Sequence, residues 1–162
     1  MTVRKTKSSD LLRVLEIYSR AREFMRASGN PTQWGDNRPS EATVRADIEH
    51  GVSYIIENSG EIVGVFAFII GEEPTYRIID GQWLDDAPYG TVHRLASAGT
   101  VKGVFSACMK FCFSLMPNIR IDTHSDNAVM RHLIAKHGFY ECGMIWVDDG
   151  TPRIAYQKNM SM

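Results

Sequence analysis

The sequence predicts a mixed α/β domain built on a mostly antiparallel sheet that contains one parallel strand pair. Three observations lead there. Segments whose apolar residues alternate at a spacing of two are interleaved with segments in which they recur at three and four, the signatures of strand and helix. A strand-helix-strand passage between residues 91 and 123 returns the chain in its original direction, which makes those two strands a parallel pair. The chain has 162 residues, 44% apolar and 10% aromatic, material for a single domain with one core.

Each element follows from local chemistry. Residues 2–6 read as a short strand. Ser8, Ser9 and Asp10 offer N-caps to a helix that carries Leu11, Val14, Leu15, Tyr18, Ala21 and Met25 at helical spacing and closes at Gly29. The turn-rich stretch NPTQWGDNRP, residues 30–39, holds Trp34, and Ser40 caps a shorter helix with Val44 and Ile48 on one face. Residues 52–57 and 61–70 pair as a hairpin about Asn58-Ser59-Gly60, and the second arm is apolar on both faces, as a central strand requires. Residues 71–89 leave the sheet in an excursion containing Trp83, Asp85, Asp86 and Pro88, within which 76–79 has the pattern of a short strand.

TVHRLAS, residues 91–97, is the next strand, followed by a loop and a helix from about 103 to 116. Val104, Ala107, Cys108, Phe111, Cys112 and Leu115 stripe that helix while Phe105, Met109, Phe113 and Met116 make its other side apolar, so it is nearly enclosed. A strand at 119–123 precedes a helix capped by Ser125 or Asp126, with Met130, Leu133, Ile134 and His137 on one face and Gly138 at its end. Strands 139–147 and 152–158 form a final hairpin around Asp149-Gly150.

Composition removes several function classes. Lys and Arg number 18 against 19 Asp and Glu, scattered in sign, so no broad basic face awaits a nucleic acid or an anionic membrane. The longest apolar run, 62–70, is half a membrane span. Cys108, Cys112 and Cys142 cannot all pair and lack metal-knuckle spacing; His132 and His137 share no face and have no accompanying carboxylate. The expectation is a cytoplasmic protein without a metal, a monomer or a homodimer, with no nucleic-acid or membrane partner.

HRLAS (93–97), AGTVKGV (98–104) and DTHSDNAVMRHLIAKHGF (122–139) resemble, in that order, the cofactor strand, the pyrophosphate loop and the second motif of the GNAT superfamily of N-acetyltransferases. The resemblance implies a single GNAT-type domain over 1–162, a parallel pair splayed around the cofactor, and helices on both faces of the sheet. Residues 91–158 would hold acetyl-CoA as co-substrate and residues 1–90 would shape the acceptor site. Cofactor-binding residues are then Leu95, Ala96 and Ser97 on the strand, Thr100, Val101, Lys102, Gly103, Val104 and Phe105 around the loop, and Asn127 and Met130 at the second helix. The loop has a physical basis of its own: a helix start carries unpaired N–H groups and about half a positive charge, Gly103 permits close approach of a diphosphate, and Lys102 adds a cation.

Two positions depart from the family pattern. Aligned on Gly103, the loop has Thr100 first and Phe105 last, and a ring at the last position either crowds the diphosphate or points into the core. The Tyr that commonly protonates the departing CoA thiolate is replaced by Ile134. Direct attack by a neutral amine on the thioester needs positioning, an oxyanion donor and removal of a proton. His93 or His124 can serve as base. With Tyr140 these are the candidate catalytic residues, and the acid is left unassigned. Trp34 and Trp83 are candidate walls of an acceptor pocket for a primary amine on a small molecule or peptide. Their alternative role is to pin loops to the core, as loop-bracing is for His124. An acyl-CoA-binding sensor with little turnover is the alternative function.

Overall fold

The computed structural model describes residues 1–162 and divides into two compact units: Met1–Phe68 with His93–Phe111, and Ile69–Val92 with Cys112–Met162. The first unit begins with strand β1 (Thr2–Lys5), a 3-10 turn at Ser8–Asp10 and helix α1 (Leu11–Ala27). Helix α2 (Glu41–Glu49) and the hairpin of β2 (Ser53–Asn58) and β3 (Glu61–Ile70) follow. β1 pairs antiparallel with β2 and β2 with β3, while β5 (Gly90–Ser97) lies on the other side of β3.

α1 is helical because Val14, Ile17, Tyr18 and Ala21 fall on one stripe, and these are the residues it buries. They meet Val44 of α2, Ile55 of β2, Val65 of β3 and Ala96 of β5 in one apolar cluster. Ile17 is sealed from solvent there, so Ile17→Ala would cost about 2–5 kcal/mol through lost transfer energy and an unfilled cavity. Ser40 caps α2 as its chemistry dictates, its hydroxyl accepting the Thr43 amide at 3.2 Å. Asp10 is used otherwise than the sequence suggests. It accepts the Lys7 amide at 2.7 Å and pairs with Arg4, so its carboxylate closes the 3-10 turn and does not cap α1.

The second unit contains β4 (Asp80–Gly81), β6 (Asn118–Thr123), helix α4 (Ala128–Lys136), β7 (Tyr140–Trp146) and β8 (Pro152–Asn159), in the order β5-β6-β8-β7-β4. Gly90 and Thr91 of β5 pair in parallel with Ile119 and Arg120 of β6, and the other pairings of the unit are antiparallel. Helix α3 (Val104–Leu115) joins the two strands of the parallel pair. The fold class is therefore the expected one, an open and mostly antiparallel sheet with a single parallel pair.

The excursion corrects one expectation: no strand forms at 76–79. Pro74, with Glu73 as its cap, starts a 3-10 turn through Tyr76, and the two-residue β4 comes after it. In β4 Gly81 lies opposite Gly143 of β7, where each glycine has a left-handed φ, 136° and 148°, and a Cβ on either would overlap the facing backbone. The cap of α4 is also corrected from Ser125 or Asp126 to Asn127, whose Oδ1 accepts the Met130 amide at 3.1 Å. No helix is long and apolar enough to cross a membrane.

Candidate active site

Within the first unit, the predicted cofactor residues form one continuous piece of chain. β5 ends at Ser97, the loop 98–103 is exposed except for Ala98 and part of Val101, and α3 begins at Val104. Gly99 (φ 76°) and Gly103 (φ 91°) shape the loop, and both have open space around them: nothing lies within 4 Å of a Cβ on Gly99, and only the Met1 methyl, at 3.7 Å, near one on Gly103. The Ser97 hydroxyl accepts the Gly99 amide at 3.1 Å and fixes the turn. Ala107 makes the first helical bond, to the Gly103 carbonyl at 3.0 Å, so the positive end of α3 lies at the glycine, beside exposed Lys102. An exposed loop shaped by two glycines, with a cation at a helix start, is a donor set that suits a diphosphate.

Phe105 resolves toward the core. It is 5% exposed, so its ring is withdrawn from the loop surface, and like buried Val104 it can offer a ligand only its backbone. β5 itself is irregular. Arg94 has φ 53°, a left-handed conformation in the middle of a strand. Its carbonyl accepts the Tyr18 hydroxyl at 2.8 Å, and its Nε and Nη2 donate to the two carboxylate oxygens of Asp47 at 2.9 and 2.8 Å. His93 precedes it and is half-buried. Trp34 packs its ring edge-to-face on Tyr18, centroids 5.7 Å apart, partly buried against the apolar cluster.

The second unit carries the remaining candidates. His124 Nδ1 accepts the Asp126 amide at 3.0 Å, which places the proton of the neutral ring on Nε2 and braces the loop before α4. Ile134, at the position where the resemblance expects a tyrosine, is 0% exposed. Tyr140 stands 63% exposed at the start of β7. Cys142 is buried, and burial pushes its thiol up, the opposite of an activated nucleophile; Cys108 and Cys112 are buried free thiols as well. His137 Nδ1 meets the Leu133 carbonyl at 2.8 Å, a C-terminal helix contact.

Trp83 belongs to a buried polar cluster that sequence reasoning missed. The Arg120 guanidinium carbon lies 4.1 Å from the centre of its ring and 4.0 Å from that of Tyr89, and the indole Nε1 donates to the Tyr76 carbonyl at 3.1 Å. Arg120 Nη2 donates to the Asp85 carbonyl at 2.8 Å, and burial lowers the guanidinium from its ordinary value. The Tyr76 hydroxyl donates to Asp122 Oδ2 at 2.6 Å, and burial raises that hydroxyl well above the usual range, so it keeps its proton. Alternation on β6 was the available signal: Asn118, Arg120 and Asp122 are polar residues two apart in a strand otherwise built of isoleucine and threonine. A separate groove of about 340 Å³ runs along α4 and is lined by Ala128, Arg131, Ala135, Phe139, Glu141 and Tyr156, none of them a predicted site residue.

No protein-family model and no curated protein sequence matches the chain. Solved structures do. A GNAT-family acetyltransferase of Streptococcus agalactiae is 28% identical with a TM-score of 0.89, the alignment covering 98% of this chain and 94% of that one. A GNAT-family acetyltransferase of Listeria monocytogenes is similar over 98% and 94% of the two chains at 20% identity and a TM-score of 0.71. A candidate acetyltransferase of Salmonella typhimurium, solved with acetyl-CoA, matches over 98% and 93% at 16% identity and a TM-score of 0.64. By structure, the chain has the fold of the GNAT acetyltransferases, the family its sequence resembles.

Proposed function

We propose that this protein is an acyltransferase that moves the acetyl group of acetyl-CoA to a primary amine on a small molecule or peptide, its 162 residues acting as one domain. The observation that carries the reading is the exposed loop 98–103, where two left-handed glycines and Lys102 run into the positive end of α3. The similarity to the Streptococcus agalactiae acetyltransferase supports acetyl transfer as the chemistry. Bound acetyl-CoA supplies a thioester whose C–S bond breaks as the amine nitrogen takes the acetyl carbon, the thiolate leaving. Thr100 to Phe105 hold the diphosphate through backbone groups and Lys102. Leu95, Ala96 and Ser97 orient the pantetheine arm and the acyl group. Asn127 and Met130, at the start of α4, are further candidate cofactor contacts.

His93 and His124 are the candidate bases, and at His124 the Nδ1 accepts the Asp126 amide. Tyr140 is the candidate proton donor. A thiol of reference pKa about 8.5 is a fair leaving group, so transfer proceeds without a donor at Ile134, more slowly than with one. Trp83 and Trp34 are the candidate substrate-side residues of this reading, each within its own unit.

The sealed Ile134 side chain also favours a second reading, an acyl-CoA sensor with little turnover. Calorimetric titration with acetyl-CoA, followed by thiol release over a panel of primary amines, separates the two. Binding with amine-dependent release is expected. Binding without release across the panel favours the sensor, and absence of binding defeats both.

A further inference from the structure

Arg94 occupies a conformation its residue type disfavours. A left-handed φ brings Cβ against the following carbonyl, and neither glycine nor a short polar side chain relieves it here. Two tethers from separate helices account for its persistence. Tyr18 of α1, 2% exposed, donates its hydroxyl to the Arg94 carbonyl at 2.8 Å, and burial raises that hydroxyl above its ordinary range, so it remains a donor at any working pH. Asp47 of α2, 8% exposed, takes both Nε and Nη2 of the guanidinium in the bidentate geometry peculiar to arginine. Trp34 backs Tyr18 edge-to-face. Beyond Arg94, the Ala98 amide is tied to the Val63 carbonyl of β3 at 2.8 Å, and a Cβ on Gly64 would come within 3.3 Å of the Ala96 carbonyl oxygen.

The peptide unit is planar and trans, so a carbonyl held toward Tyr18 directs the Leu95 N–H the opposite way. We propose that Tyr18 and Asp47 are positioning residues that lock Arg94 in its left-handed conformation and thereby set the angle at which the backbone from Leu95 to Ser97 meets the acyl carbonyl. The inference rests on the assignment of Leu95, Ala96 and Ser97 to the thioester. It adds that α1 and α2, which carry no cofactor residue, control the polarisation of that carbonyl.

The test uses acetyl-CoA carrying carbon-13 at the carbonyl, with the bound chemical shift as the readout, so no acceptor need be known. Tyr18→Phe keeps the ring in the core and removes only the hydroxyl. Its affinity for CoA is expected within about twofold of wild type, while its preference for acetyl-CoA over CoA falls about fivefold, the equivalent of one hydrogen bond, and the carbonyl signal moves toward the free position. Asp47→Asn is expected to act in the same direction. The discriminating background is Asp47→Asn with Arg94→Gly, which removes the ion pair whole and lets glycine hold a left-handed φ without strain. There Tyr18→Phe loses most of its effect, whereas a packing role for Tyr18 predicts the same effect in both backgrounds. An unchanged bound shift and affinity ratio in Tyr18→Phe, equal effects in the two backgrounds, or a wild-type bound shift identical to free acetyl-CoA overturns the proposal. Failure of the wild type to bind acetyl-CoA at all overturns the function itself, and is told apart by the lack of any bound signal.

Discussion

Gly103 offers the sharpest test of the loop, because its surroundings separate two effects that usually arrive together. Its φ of 91° penalises any L side chain, yet a Cβ there meets nothing closer than the Met1 methyl at 3.7 Å, so added bulk has room. Gly103→Ala therefore carries backbone strain alone, about 1–2 kcal/mol, and should lower the melting temperature by roughly 2–8 °C for a chain of this size. Gly103→Glu carries the same strain, and so the same loss of stability, plus one negative charge on the loop. Against two diphosphate charges about 6 Å away, at an effective dielectric between about 80 and 40, that charge costs about 1.5–3 kcal/mol of binding, roughly ten- to a hundredfold in Kd. Calorimetry with CoA should show the Ala variant within about threefold of wild type and the Glu variant far weaker, with the gap narrowing in 1 M salt as exposed charges are screened. If the two variants bind CoA equally, the diphosphate does not sit at this loop.

Other sites give independent expectations. Burial pushes the Asp85 carboxyl up, but Asn159, the Ala87 amide, Asn118 and Gln157 all donate to it and together hold it below the usual carboxylate range. Its contribution to stability is thus complete above the unfolded pKa, about 3.9, and is lost as pH falls below that through the folded value. Asp85→Asn sets an amide donor against those donors and should cost about 1–3 kcal/mol at pH 7 in urea unfolding, with the difference from wild type shrinking below about pH 4. A pH-independent difference would remove the carboxylate from that account. Gly143→Ala, whose Cβ overlaps the Asp80 carbonyl, should destabilise by about 2–4 kcal/mol and raise hydrogen exchange through 80–84; unaltered exchange there would show that β4 is not latched by this crossing. Cys108→Ala, in a fully buried site, should cost about 1 kcal/mol of stability and leave thiol release per folded molecule unchanged, and selective loss of turnover would bring a nucleophilic cysteine back into consideration.

What the sequence discloses is whatever a residue decides by its own chemistry. Gly99 and Gly103 announce their turn because only glycine enters the left-handed region freely, and both have it. Ser40 announces α2 because its hydroxyl reaches the Thr43 amide through three residues of chain. Ambiguity begins where neighbours share that chemistry: Ser125, Asp126 and Asn127 are all competent caps, and it is the Asn127 side chain that takes the Met130 amide. Legibility ends where a conformation is imposed from a distance.

Arg94 is the clearest case of imposition. HRLAS reads as an ordinary alternating strand, and nothing within it demands a left-handed residue. The demand comes from a hydroxyl 76 positions earlier and a carboxylate 47 positions earlier, on helices whose own sequence signals report only amphipathicity. The same holds for Trp83, whose loop-like context conceals that the Arg120 guanidinium lies over its ring and over that of Tyr89. Local pattern therefore locates the loop proposed for the cofactor, since a diphosphate is bound by backbone and glycine, while the groups proposed to orient it are read only from contacts distant in sequence. A catalytic geometry set by such contacts can change through a substitution on α1 or α2 with the loop sequence intact, and for that reason the first half of the chain, poor in recognisable motifs, is where differences in turnover between chains sharing the loop should be sought.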